Sequence, residues 1–325
     1  MAERGCMSAH LAVNVAAIEA PRLHLRRLDE DDLPALVAGA GAWEIARYTA
    51  LIPHPYSEKD AREFLEGALL DRNAGTRHVF GLETRIGGEL IGCIEINMGR
   101  GGDTVGYWIA QDHWGHGYAT EALLAISRFA FQNAGKDELC AAVHPENAAS
   151  VRVLEKAGFV YDRIETGLPG RCASIEAKIY RLDAPDWFSR EAAKPKLLVS
   201  AAALVDGDGR VLMAQRPAGK PLAGLWEFPG GKVHDDETPE AALVRELQEE
   251  LGIDISESCL APIAFASHAY EHFHLLMPLY ACRTWQGQVT PREGQRLKWL
   301  RPNRLNTLPM PPADIPLVAM VMDVL

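Results

Sequence analysis

Residues Gly230–Ile253 read GGKVHDDETPEAALVRELQEELGI, passing in quick succession from a strand through a loop into a helix. The helix starts cleanly. Thr238 is a suitable N-cap, Pro239 brings the fixed φ favoured at the first helical position, and Glu240 sets a negative charge beside the positive end of the helix dipole. Gly252 supplies the stop. Within the helix Glu246, Glu249 and Glu250 stand at i, i+3 and i+4, so their carboxylates leave one side, while Leu243, Leu247 and Leu251 share the adjoining face. Like charges so close repel one another. A hard, oxygen-seeking cation such as Mg2+ or Mn2+ relieves that repulsion and in turn neutralises the phosphates of a nucleotide.

An acid-rich helix is ordinarily a solvated face. Register separates this one: Gly231, five residues, Glu237, seven residues, then RELQEELGI over Arg245–Ile253. The pattern resembles the Nudix box. The resemblance continues over most of Leu197–Leu325, including LWEFPGGK at Leu225–Lys232, and is nearest to the MutT-like nucleotide pyrophosphohydrolases. It implies that Glu246, Glu249, Glu250 and the carbonyl of Gly230 hold metal ions while Glu237 and Arg245 brace the loop against the helix. Glu293, in REGQ, matches a further carboxylate that is a metal ligand or general base. The implied reaction is attack by metal-activated water on an inner phosphorus, splitting a nucleoside triphosphate into monophosphate and pyrophosphate.

Arg216, Phe228 and Asp314 match positions that hold the nucleotide in MutT-like enzymes. Asp314 stands where enzymes that cleanse oxidised guanine nucleotides carry Asn, and a carboxylate only accepts hydrogen bonds. That suits the exocyclic amino group of cytosine, although N1–H and the amino group of guanine are donors too. The expected substrate is therefore 8-oxo-dGTP, in nucleotide-pool cleansing, or a CTP- or dCTP-type triphosphate. Asp314→Asn is expected to shift the ranking.

Upstream of these motifs, LLVSAAALVD and VLMAQR read as strands joined by a turn at Gly207–Gly209. DAPDWFSREAAKPK, Asp183–Lys196, shows no clear periodicity and reads as a linker. The expected division is a poorly ordered leader over residues 1–20, a first domain over 21–184, a linker over 185–196 and a second domain over 197–325.

The first domain places strands at RLHLRRL, HVFGLET, ELIGCIEINM and DTVGYWIA, and helices at Asp32–Ala40, Glu58–Leu70, Tyr118–Asn133 and Ala148–Ala157. GYWIAQDHWGHGYATEALLAI, Gly106–Ile126, runs from a strand through a Gly-x-Gly turn into a helix N-terminus, where backbone N–H groups converge on an anion. By itself such a turn is only a turn. The whole of Arg22–Leu182, through PRLHLRRL, GYWI, GHGYATEAL and NAASVRVLEKAGF, is similar to the GNAT acetyltransferases, especially the RimJ/RimL-like branch acting on protein N-termini. The resemblance implies that the acetyl-CoA pyrophosphate lies on the backbone of Trp114, Gly115, His116, Gly117, Tyr118, Ala119 and Thr120, with Asn147 and Ser150 lining the acetyl and thiol end. Asp112 replaces the usual Gln or Arg ahead of the turn. Acetyl transfer needs a base and a proton source, for which Glu95 and Ser150 are the candidates. The sequence does not identify the acceptor amine.

A chain of 325 residues suits two domains, and 48% hydrophobic with 24% charged residues supplies ample core. A net charge of −11 speaks against a polynucleotide partner. No apolar run is long enough to span a membrane, and six scattered cysteines with no CxxC pair suit a reducing cytoplasm. The expected fold class is α/β, with α+β character in each half: a GNAT fold followed by a Nudix α/β/α sandwich with a mixed sheet. The expected protein is bifunctional. The alternative is that only the Nudix half is catalytic and the GNAT half senses acetyl-CoA or binds a partner.

Overall fold

The computed structural model describes residues 15–99 and 102–325. The chain divides into two compact units, the second formed by Phe188–Leu325 with the short segments Ala20–Arg22 and Thr84–Glu89. Most of the expected leader, residues 1–14, lies outside the described residues. Its end does not behave as a loose leader: β1 (Ala17–Glu19) pairs antiparallel with β2 (Leu23–Arg26), Ala17 facing Arg26.

In the first unit, α1 (Leu33–Ala40), α2 (Trp43–Ala46) and α3 (Glu58–Ala74) follow. Ser57 and Asp60 form a reciprocal capping box that starts α3, and Gly75 ends it at a φ of 69°. Then come β3 (Arg77–Thr84), β4 (Leu90–Gly99) and β5 (Gly102–Ile109), an antiparallel meander as the alternating runs imply. The Gly-rich segment between β4 and β5, Gly99–Gly102, reads in sequence as a hairpin turn, and its residues 100 and 101 are outside the described set.

After β5, α4 (Tyr118–Arg128) is followed by a wider turn over Phe129–Asn133, where the Ala134 N–H reaches the Phe129 carbonyl at 3.0 Å. β6 (Glu138–Val143), α5 (Ala148–Ala157), β7 (Val160–Glu165) and β8 (Ala177–Asp183) complete the unit. The described strands form one sheet in the order β1-β2-β3-β4-β5-β6-β8-β7. Buried Glu121 of α4 accepts the Leu23 N–H of β2 at 3.2 Å, fixing this helix to the sheet.

One pairing shapes the unit's chemistry. β5 and β6 are parallel and meet through Thr104 and Cys140, near the start of each strand, with no further pair among the described residues. The helices that follow them, α4 and α5, therefore begin at the end where the two strands are no longer tied.

Where the sequence reads as a linker without periodicity, the chain forms α6 (Ala184–Ala193), with Trp187 buried against Phe131 at a ring-centroid distance of 5.6 Å. An aromatic anchor organises this helix, a contact that periodicity does not report.

The second unit contains β9 (Lys196–Leu204), β10 (Val211–Gln215), β11 (Trp226–Glu227), β12 (Gly230–Lys232), α7 (Pro239–Leu251), β13 (Ala261–Ala269), β14 (His274–Cys282), β15 (Arg296–Leu300) and α8 (Ile315–Val324). One sheet runs β12-β9-β14-β13 and a smaller one β11-β10-β15. β9 is parallel to β14 and antiparallel to β12, so the sheet is mixed. Alternation along β9 explains the sandwich. Ala201, Ala203 and Val205 join Leu317, Val318 and Val321 of α8 in one core, while Ala202 and Leu204 join Leu243, Leu247 and Leu251 of α7 in another. Among the described residues no helix is long and apolar enough to cross a membrane.

Candidate active sites

On α7 the local sequence logic holds. The Thr238 hydroxyl accepts the Ala241 N–H at 3.1 Å, and Gly252 closes the helix at a φ of 70°. Tyr280 of β14 donates to Glu240 at 2.9 Å, tying the first turn to the sheet.

Glu237 and Arg245 brace the loop. The Arg245 guanidinium donates to both carboxylate oxygens of Glu237, at 2.6 and 3.2 Å, and to the Lys232 carbonyl at 3.0 Å. The His234 N–H adds a bond to Glu237 at 2.9 Å. Together these hold the Glu237 carboxyl down to about 2. Such bidentate geometry fixes direction as well as distance.

Gly231 has a separate reason to be glycine. A Cβ added there would sit 2.1 to 2.4 Å from the Glu246 carboxyl atoms. The Glu246 head therefore occupies the space over β12 that any side chain at position 231 would take.

The expected convergence of the acidic residues is only partly realised. Among the described residues no group of three or more His, Cys, Asp or Glu side chains is arranged to hold a metal ion. Basic neighbours explain where the carboxylates go: Glu246 and Glu249 lie 2.8 and 3.5 Å from the Arg245 guanidinium, and exposed Glu293 pairs with Lys220 at 2.5 Å. Glu250 is different. Burial, reinforced by the charges of Glu227, Glu293 and Glu246, pushes its carboxyl up to about 7.

This crowding is the chemistry of a donor set that suits a hard cation, with oxygen ligands and excess negative charge. Glu293 is kept nearby by Gln295, whose side-chain oxygen accepts the Glu293 N–H at 2.7 Å while its nitrogen donates to the Glu250 carbonyl at 2.8 Å.

Glu227 is a functional candidate that the sequence reading passed over, although it lies within LWEFPGGK. It acts electrostatically on Glu250, Asp314 and Tyr270, and its own carboxyl is raised by burial despite an ion pair with Arg216 at 2.5 Å. Arg216 also donates to the Pro221 carbonyl at 2.7 Å, so its guanidinium already serves local structure. Phe228 is buried in the core shared with α8, and its N–H donates to Asp314 at 3.1 Å.

Asp314 is buried, and burial beside Glu227 raises it well above the carboxylate range. In this structure its carboxyl acts as an acceptor, taking the Phe228 N–H. Tyr270, within electrostatic reach of Asp314, is raised by burial and stacks on Phe273 at 4.9 Å. An aromatic near the end of an exposed strand gives no sequence signal that distinguishes it from core.

In the first unit, Gly115 and Gly117 both have a φ of 80°, which lets the turn bend sharply into α4. No side chain caps this helix, and the first four N–H groups of any helix lack intrahelical partners. Tyr118, Ala119 and Thr120 form that first turn. Trp114 is half exposed and donates from its ring nitrogen to the Ile109 carbonyl at 2.7 Å, anchoring the turn to β5, while His116 stacks on Tyr118 at 6.0 Å.

Asn147 caps α5, accepting the Ser150 N–H at 3.0 Å. The Ser150 hydroxyl lies 2.9 Å from the Tyr107 hydroxyl, which joins the ends of β5 and α5. Burial pushes the Tyr107 phenol up to about 12. Within GYWI nothing in the sequence sets Tyr107 apart; its partner becomes visible only when two distant segments meet. Glu95 is held by Arg77 at 3.3 Å and by the Asn97 amide at 3.2 Å. Its carboxylate is thus engaged by neighbouring side chains.

Residues 22–160 match the acetyltransferase (GNAT) domain model, and residues 200–320 match the NUDIX domain model. The chain is 42% identical over 125 residues to the CTP pyrophosphohydrolase of Escherichia coli (strain K12), covering 38% of this chain and 90% of that protein. It is 40% identical over 101 residues to the 8-oxo-dGTP diphosphatase of Proteus vulgaris, covering 31% and 88%. The first half is 31% identical over 147 residues to the uncharacterized N-acetyltransferase YoaA of Bacillus subtilis (strain 168), covering 44% and 81%.

Proposed function

The chain belongs to the GNAT acetyltransferase family through its N-terminal half and to the Nudix family through its C-terminal half, and on that premise we propose a bifunctional enzyme. Its Nudix half hydrolyses a nucleoside triphosphate to the monophosphate and pyrophosphate. The observation that carries this reading is the half-buried, charge-crowded Glu250 in the last turn of α7, beside Glu246, Glu227 and Glu293, with the loop before the helix braced by Glu237 and Arg245.

Glu246, Glu249 and Glu250, with Glu293 and the Gly230 carbonyl, would hold Mg2+ or Mn2+. Bound there, the cation supplies neutralisation of phosphate charge and a lowered pKa for water. The rest belongs to the chain. Arg245 and Glu237 keep the loop from folding away from α7, Gly231 leaves room for Glu246, and the Gln295 tether keeps Glu293 near Glu250 to take a proton from the attacking water. Phe228, Asp314 and Tyr270 form the end suited to the base, with Arg216 ordered by Glu227 beside it.

Cytidine triphosphates and 8-oxo-dGTP are the proposed substrate classes, consistent with what the Escherichia coli and Proteus relatives are named for. Asp314→Asn, which exchanges an acceptor for an amide that both donates and accepts, is expected to shift the substrate ranking. Asp314→Leu is expected to lose discrimination by about ten-fold or more, since the base then faces no polar partner. A triphosphate panel with pyrophosphate detection, in Mg2+ and after chelation, tests the chemistry and the ranking together. Turnover undiminished by chelation would remove the metal from the reading.

For the first half, acetyl-CoA would lie with its pyrophosphate on the backbone from Trp114 to Thr120 and its thioester near Asn147 and Ser150, where the strands are untied. Ser150, backed by Tyr107, would return a proton to the departing thiolate, and Glu95 would act through water on the amine of a protein N-terminus. The engagement of Glu95 by Arg77 and Asn97 favours the second reading, a module that binds acetyl-CoA without transfer. Labelled acetyl-CoA separates the two: binding with transfer to a peptide amine supports the enzyme, and binding alone supports the sensor. The free cysteines at positions 93, 140, 172, 259 and 282 suit the proposed cytoplasmic setting, and the acidic balance suits small phosphorylated partners rather than polynucleotides.

A further inference from the structure

Resting on the metal-dependent reading of the Nudix half, we infer that Ser200 is a positioning residue for Glu246, its hydroxyl orienting the carboxylate toward the cation. Ser200 is fully buried on β9, and its Oγ has no hydrogen-bond partner among the described residues. An orphaned hydroxyl in a packed interior is costly and calls for a partner.

Two independent observations point to the Glu246 head, not bonded to the hydroxyl in this structure, as the group it would turn to when a cation binds. In the antiparallel pairing of β12 with β9, Gly231 faces Ser200 directly, so the two positions project to the same side of the sheet. The side-chain place of Gly231 is already filled by the Glu246 carboxyl, 2.1 to 2.4 Å from where a Cβ would be. Directly opposed Cβ positions are about 4.5 to 5.5 Å apart, so the Ser200 side chain and the Glu246 head share one small space. The alternation along β9 agrees: Ala202 and Leu204, of the same parity as Ser200, pack with Leu243 and Leu247 of α7.

Glu246 accepts from Arg245 at 2.8 Å on one oxygen. A carboxylate has further lone pairs, and a hydroxyl fixed in the sheet can hold its plane while another lone pair faces a cation. Ser200 adds a short, rigid donor without adding charge, unlike Arg245, which competes with the cation for the same head.

The test is Mn2+ binding to the full chain, followed by electron paramagnetic resonance or calorimetry without substrate, for the wild type, Ser200→Ala and Ser200→Cys, alongside Tm. Expected is a roughly ten-fold weaker Mn2+ affinity in Ser200→Ala with Tm unchanged or raised, and an intermediate loss in Ser200→Cys, whose thiol is a weak donor. A Tm rise with Mn2+ affinity unchanged would overturn the inference and leave Ser200 a merely buried hydroxyl. A wild type that binds no Mn2+ would overturn the inference together with the metal-dependent reading, whereas wild-type binding with Ser200→Ala unaffected would sink the inference alone.

Discussion

In the C-terminal unit Glu237, Arg245, Glu246, Glu249 and Glu250 lie on one loop and the helix it feeds, whereas in the N-terminal unit Glu95, Tyr107, Trp114 and Ser150 come from two strands, a turn and a later helix. A helix repeats its side chains every few residues, so spacing alone sets three carboxylates on one side and a guanidinium beside them. Where parallel strands part, only tertiary structure chooses which side chains meet, and Tyr107 with Ser150 is the result. The contrast extends to charge. The helical site concentrates negative charge until burial lifts Glu250, while in the other unit Glu95 lies beside Arg77, itself paired with Asp71.

The sharpest way to break this contrast is to neutralise the helical site. Glu250→Gln and Glu246→Gln are each expected to reduce pyrophosphate release with Mg2+ by about 1,000-fold while leaving the fold intact, because a ligand or general base is lost without a change of size. Stopped activity with an unchanged circular dichroism spectrum is the expected pair of readings. Activity within a few-fold of wild type in both variants would take these residues out of the chemistry.

A smaller effect is expected at the untied strands. Ser150→Ala should slow acetyl transfer by about 100-fold, the typical contribution of a positioned proton donor, with acetyl-CoA affinity largely kept. Its diagnostic is the pH profile: Tyr107→Phe should move the alkaline limb if the phenol stands behind the serine. A rate unchanged in both variants would favour the sensor over the transferase.

The smallest effects distinguish the units through acid stability. Glu237 is depressed to about 2 by Arg245, so its contribution is complete above its unfolded value of 4.5 and is lost as pH falls from there toward 2. Buried His78 has the opposite chemistry. Burial, with Arg72 and Arg27, lowers it from 6.5, and neither ring nitrogen has a hydrogen-bond partner among the described residues. The unfolded chain then binds the proton more readily, so this part of stability is complete above 6.5 and declines as pH falls below it. Calorimetry against pH should show the first unit weakening earlier. His78→Phe should flatten the window below 6.5, and Arg245→Met the one below 4.5. Parallel pH curves for wild type and both variants would reject the assignment.

Much of the architecture was legible in advance. The meander, the helix after the Gly-x-Gly turn, the Thr238 cap and the Gly252 stop follow from local rules, because caps and turns are decided within a few residues, while the Glu237–Arg245 brace was implied by the Nudix resemblance. α6 was not legible, since the burial of Trp187 against Phe131 organises it from outside its own segment. Nor was the role of Glu227, whose influence on Glu250 and Asp314 depends on strands and helices being brought together.

By itself, then, the sequence determined two families, the order of their motifs and the face on which α7 carries its acids, since helical spacing and Gly placement act over short range. Tertiary structure alone decided that Glu246 fills the space over Gly231, that Ser200 projects to that same side, and that Asp314 is buried beneath the Phe228 N–H. These properties come from desolvation and from contacts between residues far apart in the chain, and neither burial nor cross-strand register is written in any one segment.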